Sequence, residues 1–198
     1  MTQPNFALWS LKGGVGKSSI SVNIAHTLEY GVVTNDIYSR IDKAMPEGKC
    51  LKLMPNQSIP APLLKKNNGL IFDFGGYLDQ RIVDAIKVSK YVMIPVIEAD
   101  DLNIQGLLSS IAEIKTVNNN IIIILNKMKK EERAAIKSEL KRLKYPYPIF
   151  EINSSKALGR SVKEKQSIRS MVEGGGLIAW RYQEVNNQFE ELINFLTK

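Results

Sequence analysis

Residues Leu11 to Ser19 read LKGGVGKSS, a glycine-rich stretch that decides the fold of this chain. It follows a short apolar run, Phe6 to Trp9, and precedes a helical pattern of apolar residues that continues to Tyr30. A strand, a glycine loop and a helix in this order form a phosphate-binding loop, whose backbone N–H groups close around phosphate oxygens. In such a loop Lys17 supplies charge for the β- and γ-phosphates, and the Ser18 hydroxyl binds Mg²⁺. A glycine-rich turn that binds nothing is the alternative, but the two lysines, the hydroxyl and both flanking elements favour a nucleotide site.

The loop departs from the general pattern G-x-x-x-x-G-K-[ST], which has a glycine where this chain has Leu11. Lys12 and the pair Gly13-Gly14 instead give the form K-G-G-x-G-K-S. This form resembles the deviant Walker A loop of the ParA/MinD family of ATPases, and the chain is most similar to the small ParA-type partition proteins. The resemblance implies that Lys12 crosses a dimer interface to the nucleotide of the partner, so that two ATP molecules lie between two subunits. A lysine that contacts only the phosphates of its own subunit is the alternative.

The resemblance extends to a second segment, Asp73-Phe74-Gly75-Gly76, which follows four apolar residues. Asp73 has the form of a Walker B acid, and the glycines resemble the D-x-[PAG]-[PG] turn that brings a backbone N–H to the γ-phosphate. Asn126 follows an isoleucine-rich run, where the family has an asparagine that reads the adenine edge; a turn residue is the alternative.

The family therefore implies ATP/ADP and Mg²⁺ as cofactors and a set of site residues. The catalytic residues are Lys12, Lys17 and Asp36. The nucleotide-binding residues are Gly13, Gly14, Val15, Gly16, Lys17, Ser18, Ser19, Gly76 and Asn126. Ser18 and Asp73 hold Mg²⁺, partly through water.

Asp36 stands alone where the family usually has two acids, in the form D-x-D at the end of the second strand. If Asp36 matches the first acid, Tyr38 occupies the second position and hydrolysis is very slow. If Asp36 matches the second, Thr34 replaces the first and hydrolysis is near normal for such enzymes. Asp42 is a further candidate for the missing acid. The enzyme expected is thus a weak ATPase that a partner stimulates.

Apolar runs and helical patterns alternate along the chain. The runs typical of buried strands are residues 6–9, 32–36, 70–74, 91–96, 121–125 and 148–152. The helical patterns cover residues 20–30, 78–88, 102–117, 131–143 and 177–196. Residues 40–68 contain four prolines and predict loops with short pieces of structure. This order predicts an α/β fold, a mostly parallel twisted sheet with helices on both faces, in a single domain, 1–198.

The positive charge is concentrated in the last third of the chain. Residues 127–169 carry 13 Lys/Arg and 5 Asp/Glu, whereas the whole chain has a net charge of only +7. In the stretch 156–169 only Glu164 opposes the basic residues, which are Lys156, Arg160, Lys163, Lys165 and Arg169. We expect these five to bind DNA without sequence preference, although a solvated helical face is the alternative.

Composition excludes several other classes of protein. A single cysteine, Cys50, rules out an internal disulfide and a multi-cysteine metal site. The absence of a long apolar run or a signal sequence predicts a cytoplasmic protein.

The sequence therefore predicts a ParA-type ATPase that partitions or positions DNA. Its expected partners are a second copy bound through ATP, non-specific DNA at the nucleoid and a centromere-binding adaptor protein, with no membrane. A MinD-like membrane switch is one alternative, but the last helix carries more acidic than basic residues. A conjugation or positioning ATPase, or a nucleotide-binding scaffold with little hydrolysis, is the other.

Overall fold

The computed structural model describes residues 3–76 and 79–198. The strands are β1 (Asn5–Ser10), β2 (Gly31–Thr34), β3 (Cys50–Lys52), β4 (Leu70–Gly75), β5 (Ser89–Val96), β6 (Ile121–Asn126) and β7 (Ile149–Ile152). The helices are α1 (Lys17–Leu28), α2 (Ile41–Ala44), α3 (Gln80–Lys87), α4 (Asp101–Ile114), α5 (Lys130–Arg142), α6 (Ala157–Glu164), α7 (Ile168–Glu173) and α8 (Gly176–Leu196). A short 3₁₀ helix covers Ala61–Leu64.

The seven strands form one sheet in the order β3-β2-β4-β1-β5-β6-β7, and every neighbouring pair is parallel. The α/β fold with a parallel sheet is therefore confirmed. Because side chains alternate across a strand, each face of the sheet has its own core. On one face Phe6 and Leu8 pack with α1, α7 and α8; on the other Ala7 and Trp9 pack with α3, α4 and α5.

The region of residues 40–68 consists of loops with short pieces of regular structure, as its sequence predicts. The edge strand β3 pairs with β2 there, with α2 before it and the 3₁₀ helix after it. β3 is only three residues long, too short for alternation to reveal it. The predicted helix 78–88 is present from Gln80, and its first predicted residue, Leu78, lies outside the described residues.

The parallel topology brings the loops that follow the strands to one edge of the sheet, the carboxyl edge. In open α/β sheets this edge is where ligands bind. The loops after β1, β2, β4 and β6 carry most of the polar motifs found in the sequence. In the described part of the chain, no helix combines the length and the apolar character needed to cross a bilayer.

Candidate functional site

The glycine loop connects β1 to α1 and forms the floor of a cleft at the carboxyl edge. Gly14 and Gly16 have φ values of 77° and 93°, in the left-handed region that favours glycine. A Cβ on Gly13 or Gly14 would meet only open space, so the cleft lies directly over these residues. Since α1 begins at Lys17, its unpaired N–H groups point toward the same space, an arrangement that binds phosphate.

The cleft has a volume of about 520 Å³. Its lining residues come from four loops and are Gly13, Gly14, Gly16, Lys17, Ser18, Ser19, Asn35, Asp36, Asp73, Phe74, Gly75, Gly76 and Lys127. A larger cavity of about 610 Å³ opens at the opposite edge of the sheet, around residues 87–90 and 117–120. Its described lining contains lysines and asparagines but no glycine loop and no carboxylate side chain, so the smaller cleft is the nucleotide candidate.

Lys17 and Asp73 form the electrostatic centre of the cleft. Lys17 Nζ donates to the carbonyl of Lys12 at 3.1 Å. Burial lowers the pKa of Lys17, while the charges of Asp73 and Asp36 act in the opposite direction. Asp73 is 3% exposed and accepts a hydrogen bond from Ser21 Oγ at 3.2 Å. Burial raises the pKa of Asp73, opposed by a hydrogen bond from Ser18 and the charge of Lys17.

The turn after β2 directs one acid into the cleft. Thr34 is buried and ends the strand, and Asp36 lies close enough to Lys17 to influence its pKa. Asp36 Oδ1 accepts from the backbone N–H groups of Tyr38 and Ser39, each at 3.1 Å, which fixes the turn. The side chain of Tyr38 is 91% exposed and does not line the cleft.

Asp42 lies away from this cleft. It is the second residue of α2 and forms an ion pair with Lys52 Nζ at 2.6 Å. The structure therefore does not bring Asp42 to the phosphate loop.

Lys12 turns away from the cleft and toward the start of α4. Its Nζ donates to Asn103 Oδ1 at 2.6 Å and lies 3.7 Å from Glu98 Oε2. Asn103 Nδ2 in turn donates to Glu98 Oε2 at 3.2 Å. The side chain of Asp100 caps α4, because its Oδ1 accepts from the backbone N–H of Asn103 at 2.7 Å. We call these four residues the α4 latch, since they hold the loop lysine against its own subunit.

Asn126 ends β6 and contacts the phosphate loop through its side chain. Its side chain is completely buried, and Nδ2 donates to the carbonyl of Val15 at 2.9 Å. A Cβ on Gly16 would come within 2.4 Å of this nitrogen. The amide thus supports the phosphate loop from beneath, and the predicted contact of Asn126 with adenine stays a prediction. Sequence could not show this, because an asparagine at a strand end fits both roles.

The predicted DNA-binding residues lie around α6 and α7, outside the cleft. Lys156, Lys163 and Lys165 are exposed, and none forms an ion pair with a residue in 3–76 or 79–198. Arg160 pairs with Glu164 at 2.5 Å. Arg169 forms two hydrogen bonds with Glu190, at 2.7 and 2.5 Å. Glu164 is the only acid within this stretch of sequence, and α8 brings a second acid, Glu190, to it from 21 residues away.

The cleft also contains residues that sequence reasoning missed. Asn35 hydrogen-bonds to Gly75 in both directions, Ser21 holds Asp73, and Lys127 lines the cleft with a φ of 59°. The position of Ser21 one turn after Ser18 in α1 was a usable signal, since residues three apart share a helix face. For Asn35 the only signal in the sequence is its position immediately before Asp36.

The donor set suits a nucleotide–magnesium complex. Mg²⁺ is usually held by one or two carboxylates together with substrate phosphates and water. Ser18 and the buried Asp73 supply a hydroxyl and a carboxylate beside the loop. No group of three or more His, Cys, Asp or Glu side chains in the described ranges is arranged to hold a metal by itself. A cation here would therefore need the phosphates as ligands.

Comparisons with known proteins agree with this cleft. The family model of the CobQ/CobB/MinD/ParA nucleotide-binding domain matches residues 6–168. No curated protein sequence matches at a significant level.

Among solved structures, an ATP complex of a Cyanothece McdA variant is similar with a TM-score of 0.67 and 12% identity, covering 100% of this chain and 97% of that one. A ParA family ATPase from Chlorobium tepidum has a TM-score of 0.62 and 18% identity, with 94% and 99% covered. The septum site-determining protein MinD with Mg-ADP, from Pyrococcus horikoshii, has a TM-score of 0.62 and 12% identity, with 98% of each chain covered.

Proposed function

The chain belongs to the CobQ/CobB/MinD/ParA family of nucleotide-binding domains, and on this premise we propose that it is a ParA-type ATPase that partitions or positions DNA. The observation that carries the proposal is the cleft itself, where Lys17, Ser18, Asp36 and Asp73 surround one glycine loop. The fold supports nucleotide binding. The proposed DNA role rests on Lys12 and on the exposed lysines around α6, which are Lys156, Lys163 and Lys165.

Each cleft residue has a task in this proposal. The loop N–H groups and Lys17 bind the phosphates, while Ser18 and Asp73 hold Mg²⁺. The metal ion, when bound, supplies positive charge to the β- and γ-phosphate oxygens. Asp36 orients the attacking water, which assigns it to the second acid of the family motif, with Thr34 at the first. With this assignment we expect hydrolysis near normal for such enzymes, which is a weak activity that a partner protein accelerates.

Dimerisation in this proposal depends on the triphosphate. Lys12 leaves the α4 latch and reaches the nucleotide of a second subunit. The negative charge of the bound ATP offsets the positive charge of the lysines when the two sites face each other. The ATP-bound dimer then binds DNA through exposed lysines near α6, and hydrolysis releases it. A centromere-binding adaptor is the proposed stimulating partner, and the nucleoid in the cytoplasm is the proposed location.

Sedimentation of the purified protein with Mg²⁺ and either ADP or a non-hydrolysable ATP analogue tests the dimer. We expect a monomer with ADP and a dimer with the analogue, and Lys12→Ala should abolish the dimer while leaving nucleotide binding measurable. Lys115→Ala is the matched control, because Lys115 is an exposed lysine at the end of α4. A monomer under both conditions would refute the sandwich mechanism.

A second candidate is a nucleotide-dependent switch at a membrane surface. Leu177 and Trp180, in the first turns of α8, are 85% and 83% exposed, and Arg181 follows them. Exposed aromatic and basic residues together are typical of membrane interfaces. Flotation with anionic liposomes in the presence of ATP would favour this candidate over the DNA role if the protein floats and ignores DNA.

A further inference from the structure

The side chain of Asn35 continues the sheet by one step beyond the end of β2. The backbone pairing between β2 and β4 ends at Thr34 and Asp73. Beyond that point, Asn35 Nδ2 donates to the carbonyl of Gly75 at 2.9 Å, and Gly75 N donates to Asn35 Oδ1 at 3.1 Å. A primary amide offers the same donor and acceptor as a peptide group, so it can replace a missing step of the ladder.

This amide fixes the backbone that leads into the glycine turn. On its other side Gly75 pairs with Ser10 of β1, so the residue is held from both directions. Gly76 follows with a φ of 89°, and its carbonyl accepts from Trp9 Nε1 at 3.1 Å. On the β2 side, the last pairing step before the turn is therefore made by a side chain and not by a strand.

Gly75 also lies directly against the loop lysine. A Cβ at Gly75 would stand 3.3 Å from Lys17 Cε and 3.4 Å from Lys17 Nζ. A shift of this backbone away from its present position would therefore change the space around Lys17 and the terminal phosphate. Asn35 is the residue immediately before Asp36, so one short segment joins the acid to the glycine turn.

We propose that Asn35 is a positioning residue that holds Gly75 and Gly76 where they meet the γ-phosphate, and so determines how strongly the site distinguishes ATP from ADP. This inference rests on the proposed nucleotide-binding function of the cleft. ADP lacks the γ-phosphate that the turn would contact. Loss of the Asn35 amide therefore weakens ATP binding and leaves ADP binding nearly unchanged.

Calorimetric titration with ADP and with AMP-PNP, both with Mg²⁺, tests the proposal on Asn35→Ala. Two hydrogen bonds of about 1 kcal/mol each correspond to a change of roughly ten- to thirtyfold. We expect the ratio of the ADP Kd to the AMP-PNP Kd to fall about tenfold, with the ADP Kd changed less than twofold. A purely structural role for Asn35 would weaken both nucleotides alike and would overturn the proposal.

Two further variants keep the test decisive. Asn35→Asp has nearly the same shape, but at pH 8 it lacks the donor to Gly75 and brings negative charge to the turn, so its ratio should fall at least as far. Asn119→Ala removes an exposed asparagine at the far edge of the sheet and should keep the wild-type ratio. A wild-type ratio in both Asn35 variants would overturn the role of Asn35 alone. A wild-type protein that binds neither nucleotide would overturn the proposed function as well.

Discussion

Asp73 is a carboxylate that is almost completely enclosed by protein. Burial raises its pKa, and the hydrogen bonds from Ser18 and Ser21 and the charge of Lys17 offset this only in part. The native state thus holds a proton more readily than the unfolded chain. Stability that comes from the protonated form is complete below the unfolded pKa and is lost as pH rises through the folded pKa. At neutral pH without a cation, ionised Asp73 therefore costs stability.

Asp73→Asn should for this reason stabilise the nucleotide-free protein at pH 7.5. The substitution removes a buried charge but keeps an oxygen that accepts from the serine hydroxyl groups. It is expected to add about 1 kcal/mol to the free energy of unfolding, or about 2–4 °C to the Tm. The gain should shrink as pH falls from 7.5, because the wild-type carboxyl, whose pKa is raised by burial, then gains its proton. Thermal melts over this pH range measure both effects.

The same variant should lose the added stability that Mg²⁺ and ATP give the wild type. Asp42→Asn, which changes an acid paired with Lys52 outside the cleft, is the control and should keep that added stability. A lower Tm for Asp73→Asn at pH 7.5 would contradict the assignment of Asp73 as a carboxylate that awaits a cation.

At the scale of elements, the α4 latch joins the phosphate loop to the start of α4, the helix that follows the neighbouring strand β5. The Lys12–Asn103 hydrogen bond, at 2.6 Å, competes with any contact that Lys12 makes to a second subunit. Hydrogen bonds to charged groups contribute about 1.5–3 kcal/mol. The latch therefore opposes the proposed dimer by a corresponding amount.

Asn103→Ala should release Lys12 and lower the dimer Kd with AMP-PNP by about tenfold, a change of roughly 1.4 kcal/mol. Asn103→Asp should act in the opposite direction, because a carboxylate beside Glu98 holds the ammonium group more firmly. Sedimentation over a range of protein concentrations gives both values. Equal shifts in the same direction would show that the substitutions act on the stability of α4 and not through Lys12.

The elements that the sequence predicted best are strands with both faces buried. β4, β5 and β6 are buried on both faces, and a continuous apolar run indicates such a strand directly. β3 and the paired helices α6 and α7 were not assigned, because short elements contain too few turns or alternations to give a period.

Within the site, the sequence indicated which residues cluster but not how their side chains are shared. Local motifs identified Lys17, Ser18 and Asp73, since their roles follow from the loop and strand that carry them. The partners of Asn126, Asn35 and Lys12 lie 111, 40 and 91 residues away along the chain. The order of the strands in the sheet brings these distant residues together, and no local sequence pattern encodes that order.

At the scale of the whole molecule, positive charge occurs at both edges of the sheet. One set of lysines lies near α6, after the carboxyl end of β7: Lys156, Lys163 and Lys165. The other set lines the cavity at the amino edge: Lys66, Lys87 and Lys90. Total charge cannot tell which set binds DNA, but the dimer proposal favours the first, because that proposal puts the partner and the nucleotide at the same carboxyl edge.

Replacement of all three lysines of the α6 set by alanine should weaken DNA binding of the AMP-PNP-bound protein and reduce its salt dependence. Each phosphate contact contributes about 0.9 to the slope of log K against log salt, so the slope should fall in magnitude by about 2 to 3. Fluorescence anisotropy with a duplex at several salt concentrations measures this slope.

The amino-edge set is a matched control, because its triple alanine variant removes the same net charge. If DNA responds only to total charge, the two triple variants will lose affinity equally. If the basic surface near α6 is the binding site, the amino-edge variant will keep the wild-type slope. An unchanged slope in the α6 variant would place DNA elsewhere on the molecule, and a wild-type protein that ignores DNA at low salt would leave the membrane switch as the stronger function.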